Sequence, residues 1–214
     1  MIIGIVGLEN SGKSSVSDYL KKEYNFKHLS FADSLKEAVG AIFCWPVEML
    51  QGKTNESRIW REEVDEWWAK RLGIPNLTPR WVLQQWGTEV GRRAFHNNIW
   101  IASMERKLST FNSHIVIDDC RFKNEFESVR KNGGIIIKVN RGDFPEWHNT
   151  AYNELRYLRD YGYETGWESQ MKGLYPDVHI SEWGWLLEKV DYTIENNGTL
   201  NDLKDKVDVI IKNQ

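Results

Sequence analysis

The stretch Gly7-Leu8-Glu9-Asn10-Ser11-Gly12-Lys13-Ser14 fits the pattern G-x-x-x-x-G-K-[ST]. It follows the apolar run Ile2-Ile3-Gly4-Ile5-Val6, which reads as a buried strand. It precedes Ser15-Val16-Ser17-Asp18-Tyr19-Leu20-Lys21-Lys22, which reads as a helix. The motif needs that strand–loop–helix setting, so the flanking residues corroborate it. Glycine lets the backbone turn its N–H groups inward around an anion, and the helix N-terminus adds partial positive charge. Lys13 can reach β- and γ-phosphates, and the Ser14 hydroxyl can ligate Mg²⁺. Gly7, Asn10, Ser11, Gly12, Lys13, Ser14 and Ser15 are thus expected to line a nucleoside triphosphate site. For the stretch alone, the alternative is an ordinary glycine-rich turn from strand to helix.

Working outward, apolar runs at 26–31, 114–118, 135–139 and 192–194 predict four further strands. Helical periodicity separates them. Ser34 and Glu37 have capping-box spacing ahead of Leu35, Val39, Ile42 and Phe43. A Trp- and Arg-rich helix is expected over 57–72, a loop over 73–79 and another helix over 80–87. A helix over 122–131 should stop at Asn132-Gly133-Gly134, and a last one should start near Thr199, capped by its own hydroxyl. This alternation predicts an α/β, P-loop NTPase three-layer fold: about five parallel strands with helices on both faces. Residues 1–214 read as a single domain, with a helical insert over 33–100. Residues 142–185 are aromatic, charged and aperiodic, which is long for a loop and predicts a lid-like segment.

The charge balance narrows the partners. The 214 residues carry a net charge of −3 with 28% charged side chains, which leaves no electrostatic footprint for nucleic acid or an anionic membrane. Cys44 and Cys120 cannot build a disulfide framework and form no C-x-x-C motif. No leader and no 18-residue apolar run is visible, so a soluble, cytoplasmic protein is expected. Of eleven tryptophans, seven lie between positions 45 and 100. They read mostly as core or domain-contact residues, with a minority available to a nucleobase. Trp147, Trp167, Trp183 and Trp185 lie on or beside the 142–185 segment.

Chemistry outside the glycine loop is concentrated after the strands, where open parallel sheets bind ligands. Asp118-Asp119-Cys120-Arg121 ends the third strand. A carboxylate there can orient Mg²⁺ through water, and Arg121 can clamp a phosphoryl oxygen with its planar fork. The alternative is a solvated strand end. Arg58, Arg61, Arg80, Arg92 and Arg93 crowd the tryptophan-rich region, as a site for an anionic acceptor would require. Salt bridges to Glu62, Glu63 and Glu89 are the competing reading. Asp33 either binds an acceptor group or caps the following helix. His28 and His114 read as core or edge residues. The sequence contains no H-E-x-x-H pair, no G-x-S-x-G elbow and no G-x-G-x-x-G fingerprint.

Several segments occur together in a recognisable order. They are the loop at 7–14, Phe31-Ala32-Asp33-Ser34-Leu35-Lys36-Glu37 and Leu83-Gln84-Gln85-Trp86-Gly87-Thr88-Glu89-Val90-Gly91-Arg92. Asp119-Cys120-Arg121-Phe122-Lys123-Asn124-Glu125, His179-Ile180-Ser181-Glu182 and Glu195-Asn196-Asn197-Gly198 complete the set. With them the chain resembles the deoxynucleoside monophosphate kinases of tailed bacteriophages, a branch of the P-loop nucleoside monophosphate kinases. It departs from many relatives at Ser34 and Lys123, where proline is expected, and at Ile180. The resemblance implies transfer of the γ-phosphoryl of ATP to the 5′-phosphate of a deoxynucleoside monophosphate, for nucleotide supply to DNA synthesis. It implies Lys13, Arg121 and Arg141 as catalytic residues, with Asn197 and Gly198 bordering the adenine of ATP. Asp33, Lys36, Arg58, Arg80, Glu89 and Arg92 fall to the acceptor. Mg²⁺ falls to Ser14, with Asp119 in its outer shell. Residues 142–182 would act as a lid. Related kinases are often homodimers, and a phage-encoded copy would work in the host cytoplasm.

Two other readings share the loop. One is a different small-molecule kinase, resembling dephospho-coenzyme A or phosphomevalonate kinases. The other is a nucleotide-binding regulatory protein without a kinase reaction. The Arg- and Trp-rich segment 57–93 favours an acceptor pocket, for which a switch has no need.

Overall fold

The computed structural model describes residues 1–162 and 169–214. Trp167 lies outside the described residues. The chain forms two compact units, Met1–Ser30 with Phe111–Gln214, and Phe31–Thr110.

The first unit is built on a five-stranded parallel sheet. Its strands are β1 (Ile2–Val6), β2 (Lys27–Leu29), β3 (Ile115–Ile117), β4 (Ile135–Asn140) and β5 (Tyr192–Glu195), in the order β2-β3-β1-β4-β5. The short apolar strands alternate their faces. Ile3, Ile5, Val116, Ile137 and Val139 bury one face against Val16 and Leu20 of α1 (Lys13–Tyr24) and Leu203, Val207 and Ile210 of α11 (Leu200–Lys212). The other face is so tight at Gly4 that an added Cβ would come within 2.6 Å of Ile136 Cδ1 and 3.3 Å of Val129 Cγ2 on α8 (Lys123–Lys131). Helices therefore cover both faces, as parallel sheets require. Thr199 caps α11 by accepting the Asp202 N–H, as its position in the sequence predicts.

The expected strands are all present. The described residues of the 142–185 segment, whose sequence shows no period, contain α9 (His148–Tyr161), α10 (Gln170–Leu174) and a 3₁₀ turn at Ile180–Glu182. The buried stripe of α9 runs through Ala151 and Glu154, so a carboxylate interrupts the apolar period and hides it. Glu154 is satisfied internally, accepting the Ser169 hydroxyl at 2.7 Å and the Met171 N–H at 2.7 Å. Ala151, Met171 and Trp183 form a small separate core.

The second unit is wholly helical and lies in sequence between β2 and β3. It comprises α2 (Asp33–Phe43), α3 (Val47–Gln51), α4 (Asn55–Trp60), α5 (Glu66–Leu72), α6 (Pro79–Gln84), a π-helix (Gln85–Phe95) and α7 (Ile99–Leu108). Three expectations are corrected here. The single helix over 57–72 is two helices. Asp65 breaks it by accepting the Trp68 N–H at 3.0 Å as an N-cap while taking the Trp45 indole N–H at 2.7 Å. The helix over 80–87 continues to Phe95 as the π-helix, where Trp100 donates its indole N–H to the Gly87 carbonyl at 2.8 Å. A Cβ at Gly91 would come within 2.7 Å of the Trp100 ring, so glycine permits that approach. Finally, Ser34 makes no capping box, because α2 starts from Ala32 and the Ser34 hydroxyl pairs with Ser103 at 2.7 Å. Trp45, Trp60, Trp68, Trp81, Trp86 and Trp100 all join this unit's core, whereas Trp67 is 63% exposed.

Candidate active site

In the first unit the glycine loop leaves β1 and turns directly into α1. Gly7, Gly12 and Asn10 have φ of 157°, 105° and 61°, and the Ser11 N–H closes a turn onto the Leu8 carbonyl at 3.2 Å. Only glycine fits at Gly12 on two counts. Its φ is left-handed, and a Cβ would stand 2.4 Å from Asn196 Nδ2. Ser14, Ser15 and Asn10 are exposed on the rim, and Lys13 is half-buried. Ser11 is buried, and among the described residues its hydroxyl has no hydrogen-bond partner. A concave, glycine-built loop with an unsatisfied polar atom and a lysine at its end fits a phosphate chain.

Lys13 Nζ donates to the carbonyls of Gly7 at 2.8 Å and Leu8 at 2.7 Å. Burial and the neighbouring Arg121 push its pKa down to about 8, while Glu182, Asp118 and Glu9 pull the other way. A lysine poised this way gains charge stabilisation when an anion arrives beside it.

β3 is the direct neighbour of β1, so the residues that follow it share the carboxyl edge of the sheet with the loop. Asp118 accepts from or pairs with His28 Nε2 at 2.7 Å, and Asp119 accepts the Ser30 hydroxyl at 2.6 Å. Both carboxylates are therefore held by groups at the end of β2. Arg121 is anchored at both ends. Its N–H donates to Glu125 Oε2 at 2.6 Å, and its Nη1 donates to Ser181 Oγ at 3.3 Å and to the Glu182 carboxylate. Burial opposes its charge, but Glu182 overrides that and raises its pKa. The Cys120 thiol is buried and pushed well up, so it stays protonated.

On the other side of β1, β4 leads into the exposed Arg141. The Gly142 N–H donates to Asn197 Oδ1 at 2.8 Å, tying that turn to the exposed Asn197 and Gly198 after β5. Asn196, part of the Glu195-Asn196-Asn197-Gly198 segment but given no role of its own by the sequence, is buried, and its amide donates to the Ser11 carbonyl at 2.9 Å. Ser181 and Glu182 were visible as a motif without a role.

In the second unit, Asp33 and Lys36 are bridged by Gln51. The Gln51 amide donates to Asp33 at 3.3 Å and its oxygen accepts from Lys36 at 3.0 Å. Arg58 donates to the Gly52 carbonyl at 3.2 Å, Arg80 pairs with Glu62, and Glu89 pairs with Arg93 at 2.8 Å. Arg92 is buried and donates to the Asn97 carbonyl at 3.1 Å. Gln51 carries no sequence signal, because its role depends on α3 returning alongside α2.

A Mg²⁺ ion fits the first unit through few protein atoms. Among the described residues no group of three or more His, Cys, Asp or Glu side chains gathers as a cation cage. Mg²⁺ commonly keeps several waters and takes phosphate oxygens, so one hydroxyl and one carboxylate suffice. Ser14 and Asp119 are the pair the sequence offers for this, and Asp119 accepts the Ser30 hydroxyl at 2.6 Å. Among the described residues no helix is long and apolar enough to cross a membrane.

A glycine cradle ending in a lysine, with an arginine held after the adjacent strand, defines a P-loop phosphotransferase. No known family model matches the chain. Similarity to individual proteins is more specific. A protein of Acanthamoeba polyphaga mimivirus assigned as a deoxynucleotide monophosphate kinase is 31% identical over 174 residues, 75% of this chain and 85% of the viral one. The chain belongs to the deoxynucleotide monophosphate kinase family. The deoxynucleoside-5′-monophosphate kinase of Escherichia phage T5 is 39% identical over 56 residues, 26% of this chain and 22% of its own. Among solved structures, a dephospho-CoA kinase from Campylobacter jejuni aligns over 99% of this chain and 96% of its own, with 14% identity and a TM-score of 0.45.

Proposed function

We propose that this chain transfers the γ-phosphoryl group of ATP to the 5′-phosphate of a deoxynucleoside monophosphate. An acceptor phosphate oxygen attacks the γ-phosphorus, the bond to the β,γ-bridging oxygen breaks, and ADP and a deoxynucleoside diphosphate leave. The observation that carries this reading is the family relationship across most of both chains, combined with a phosphate cradle whose lysine is intact.

The accepting phosphate is already ionised, so no general base is required. Catalysis is positioning and charge neutralisation. Lys13 and the backbone of 7–15 hold the β- and γ-phosphates. Arg121 and Arg141 meet charge on the transferring group. Asn197 and Gly198 border the adenine. Mg²⁺, when bound by Ser14 with Asp119 behind it, supplies further neutralisation of the phosphates. Asp33, Lys36, Arg58, Arg80, Glu89 and Arg92 serve acceptor recognition, and 142–182 excludes water. On this reading the protein works in the cytoplasm, and a phage-encoded copy in that of its host.

An ADP-release assay across the four deoxynucleoside monophosphates, their ribo counterparts, dephospho-CoA and phosphomevalonate tests this. Turnover should require a deoxynucleoside monophosphate. Turnover with dephospho-CoA or phosphomevalonate alone would transfer the chain to another kinase class. Acceptor-independent hydrolysis would point to a regulatory nucleotide-binding protein.

A further inference from the structure

We propose that His179, Ser181 and Glu182 form a positioning array that orients Arg121 toward the transferring phosphoryl group. This rests on the phosphotransfer reading above and assigns a role to a motif that the reaction otherwise leaves unused.

The array is defined by its hydrogen-bond directions. The Ser181 backbone N–H lies 3.3 Å from His179 Nδ1. A main-chain N–H can only donate, so Nδ1 is the acceptor and the ring proton sits on Nε2. The Ser181 hydroxyl is 2.9 Å from the same Nδ1 and therefore donates to it. That leaves the Ser181 oxygen lone pairs to accept Arg121 Nη1 at 3.3 Å. Glu182 takes the same Nη1 as an ion pair. His179 thus sets the polarity of Ser181, and Ser181 and Glu182 together fix one corner of the guanidinium.

The turn that carries them is itself held. Trp185 donates its indole N–H to the Glu182 carbonyl at 3.0 Å, and Trp183 donates to Val178 at 3.4 Å. Both rings are buried. At the other end of Arg121, one Glu125 oxygen accepts the N–H groups of Arg121 and Phe122, at 2.6 and 3.1 Å. Backbone and tip are therefore both fixed, which removes rotamer freedom that a phosphate contact would otherwise have to overcome. The guanidinium is planar, so two acceptors on Nη1 restrict the directions open to its other donors. The Arg121 side chain still exposes 39% of its surface.

A merely structural ion pair would change stability and leave turnover alone. A positioning pair should change kcat with little effect on ATP affinity. The test is steady-state ADP release with ATP and a deoxynucleoside monophosphate, together with calorimetric ATP binding, for wild type, E182Q, E182D, S181A, R121K and R121K/E182Q. We expect E182Q to lower kcat by roughly 10- to 100-fold, the scale of lost orientation at a reacting centre. ATP Kd should stay within about twofold, because Lys13 and the loop hold the ground-state nucleotide. E182D should recover part of the loss, and R121K/E182Q should be no slower than R121K. An unchanged or raised kcat in folded E182Q, or losses that multiply in the double variant, would overturn the array. Should E182Q fail to fold by circular dichroism, S181A decides. It keeps the ion pair and removes the second acceptor, so its kcat must fall, and an unchanged value rejects the proposal. A wild-type chain with no acceptor-dependent turnover would refute the kinase reading and the array with it. Normal wild-type turnover with an indifferent E182Q would refute only the array.

Discussion

The side-chain amide of Asn196 donates to the main-chain carbonyl of Ser11 at 2.9 Å, although 185 residues separate them in sequence. The bond pins the crest of the phosphate loop to the residue next to Asn197 and Gly198, the expected adenine border. The Asn196 side chain also fills the space that a Cβ at Gly12 would need. Asn196→Ala removes one buried hydrogen bond and leaves a buried carbonyl unsatisfied. It should cost about 1–3 kcal/mol and lower Tm by roughly 2–4 °C per kcal/mol for a chain of this size. ATP KM should rise more than kcat falls. Thermal unfolding and steady-state kinetics check both parts. Unchanged stability and KM would show that the loop holds its shape alone.

Lys13→Ala should nearly abolish turnover without altering the fold. The side chain is half-buried and bonds only its own loop's carbonyls among the described residues, so nothing distant depends on it. Removing a preorganised charge contact costs about 10²-fold or more in kcat. A folded variant that retains more than about a tenth of wild-type turnover would contradict the assignment.

Lys13 also predicts a pH profile. Its pKa is lowered from 10.5 to about 8, so the free protein loses the needed charge as pH rises through about 8. The kcat/KM for ATP should fall on that alkaline limb. With ATP bound, the adjacent anion favours the charged lysine, so the limb in kcat should sit at higher pH. The stability effect has the opposite sense. Between about 8 and 10.5 the unfolded chain binds more protons at this group than the folded chain, so its contribution to unfolding free energy rises with pH. Rate profiles and denaturant titrations across that window measure the two effects separately.

Ser14→Ala should raise the Mg²⁺ concentration needed for half-maximal turnover, because one protein oxygen is lost while Lys13 remains. EDTA should abolish turnover in both proteins. Full activity in EDTA would remove the metal from the reaction.

Asp65→Ala should destabilise the second unit without touching ATP binding. The carboxylate caps α5 and accepts the Trp45 indole N–H. Losing a cap costs about 1 kcal/mol, and an unpaired indole N–H adds about 1–3 kcal/mol. Chemical denaturation should show the loss, and calorimetric titration should give an unchanged ATP Kd. A weakened ATP Kd would mean that Asp65 also supports the nucleotide site.

The chain determines by itself whatever depends on neighbours in sequence. The run from Ile2 to Ser14 specifies strand, loop and helix because strand burial, positive-φ glycine and the helix N-terminus are all local. The alternating apolar runs likewise specify five parallel strands, and Thr199 marks the start of α11. Local reading fails where a polar group satisfies itself through a distant partner. Asp65 ends a helix because the Trp45 indole and the Trp68 N–H converge on it. Glu154 hides the period of α9 because its acceptors serve α10. Gln51 joins Asp33 to Lys36, Asn196 reaches Ser11, and Glu182 reaches Arg121, each across a gap that only folding closes. Side-chain hydrogen bonds have no period, so the sequence shows which residues carry chemistry. The tertiary structure alone decides which of them hold the others in place.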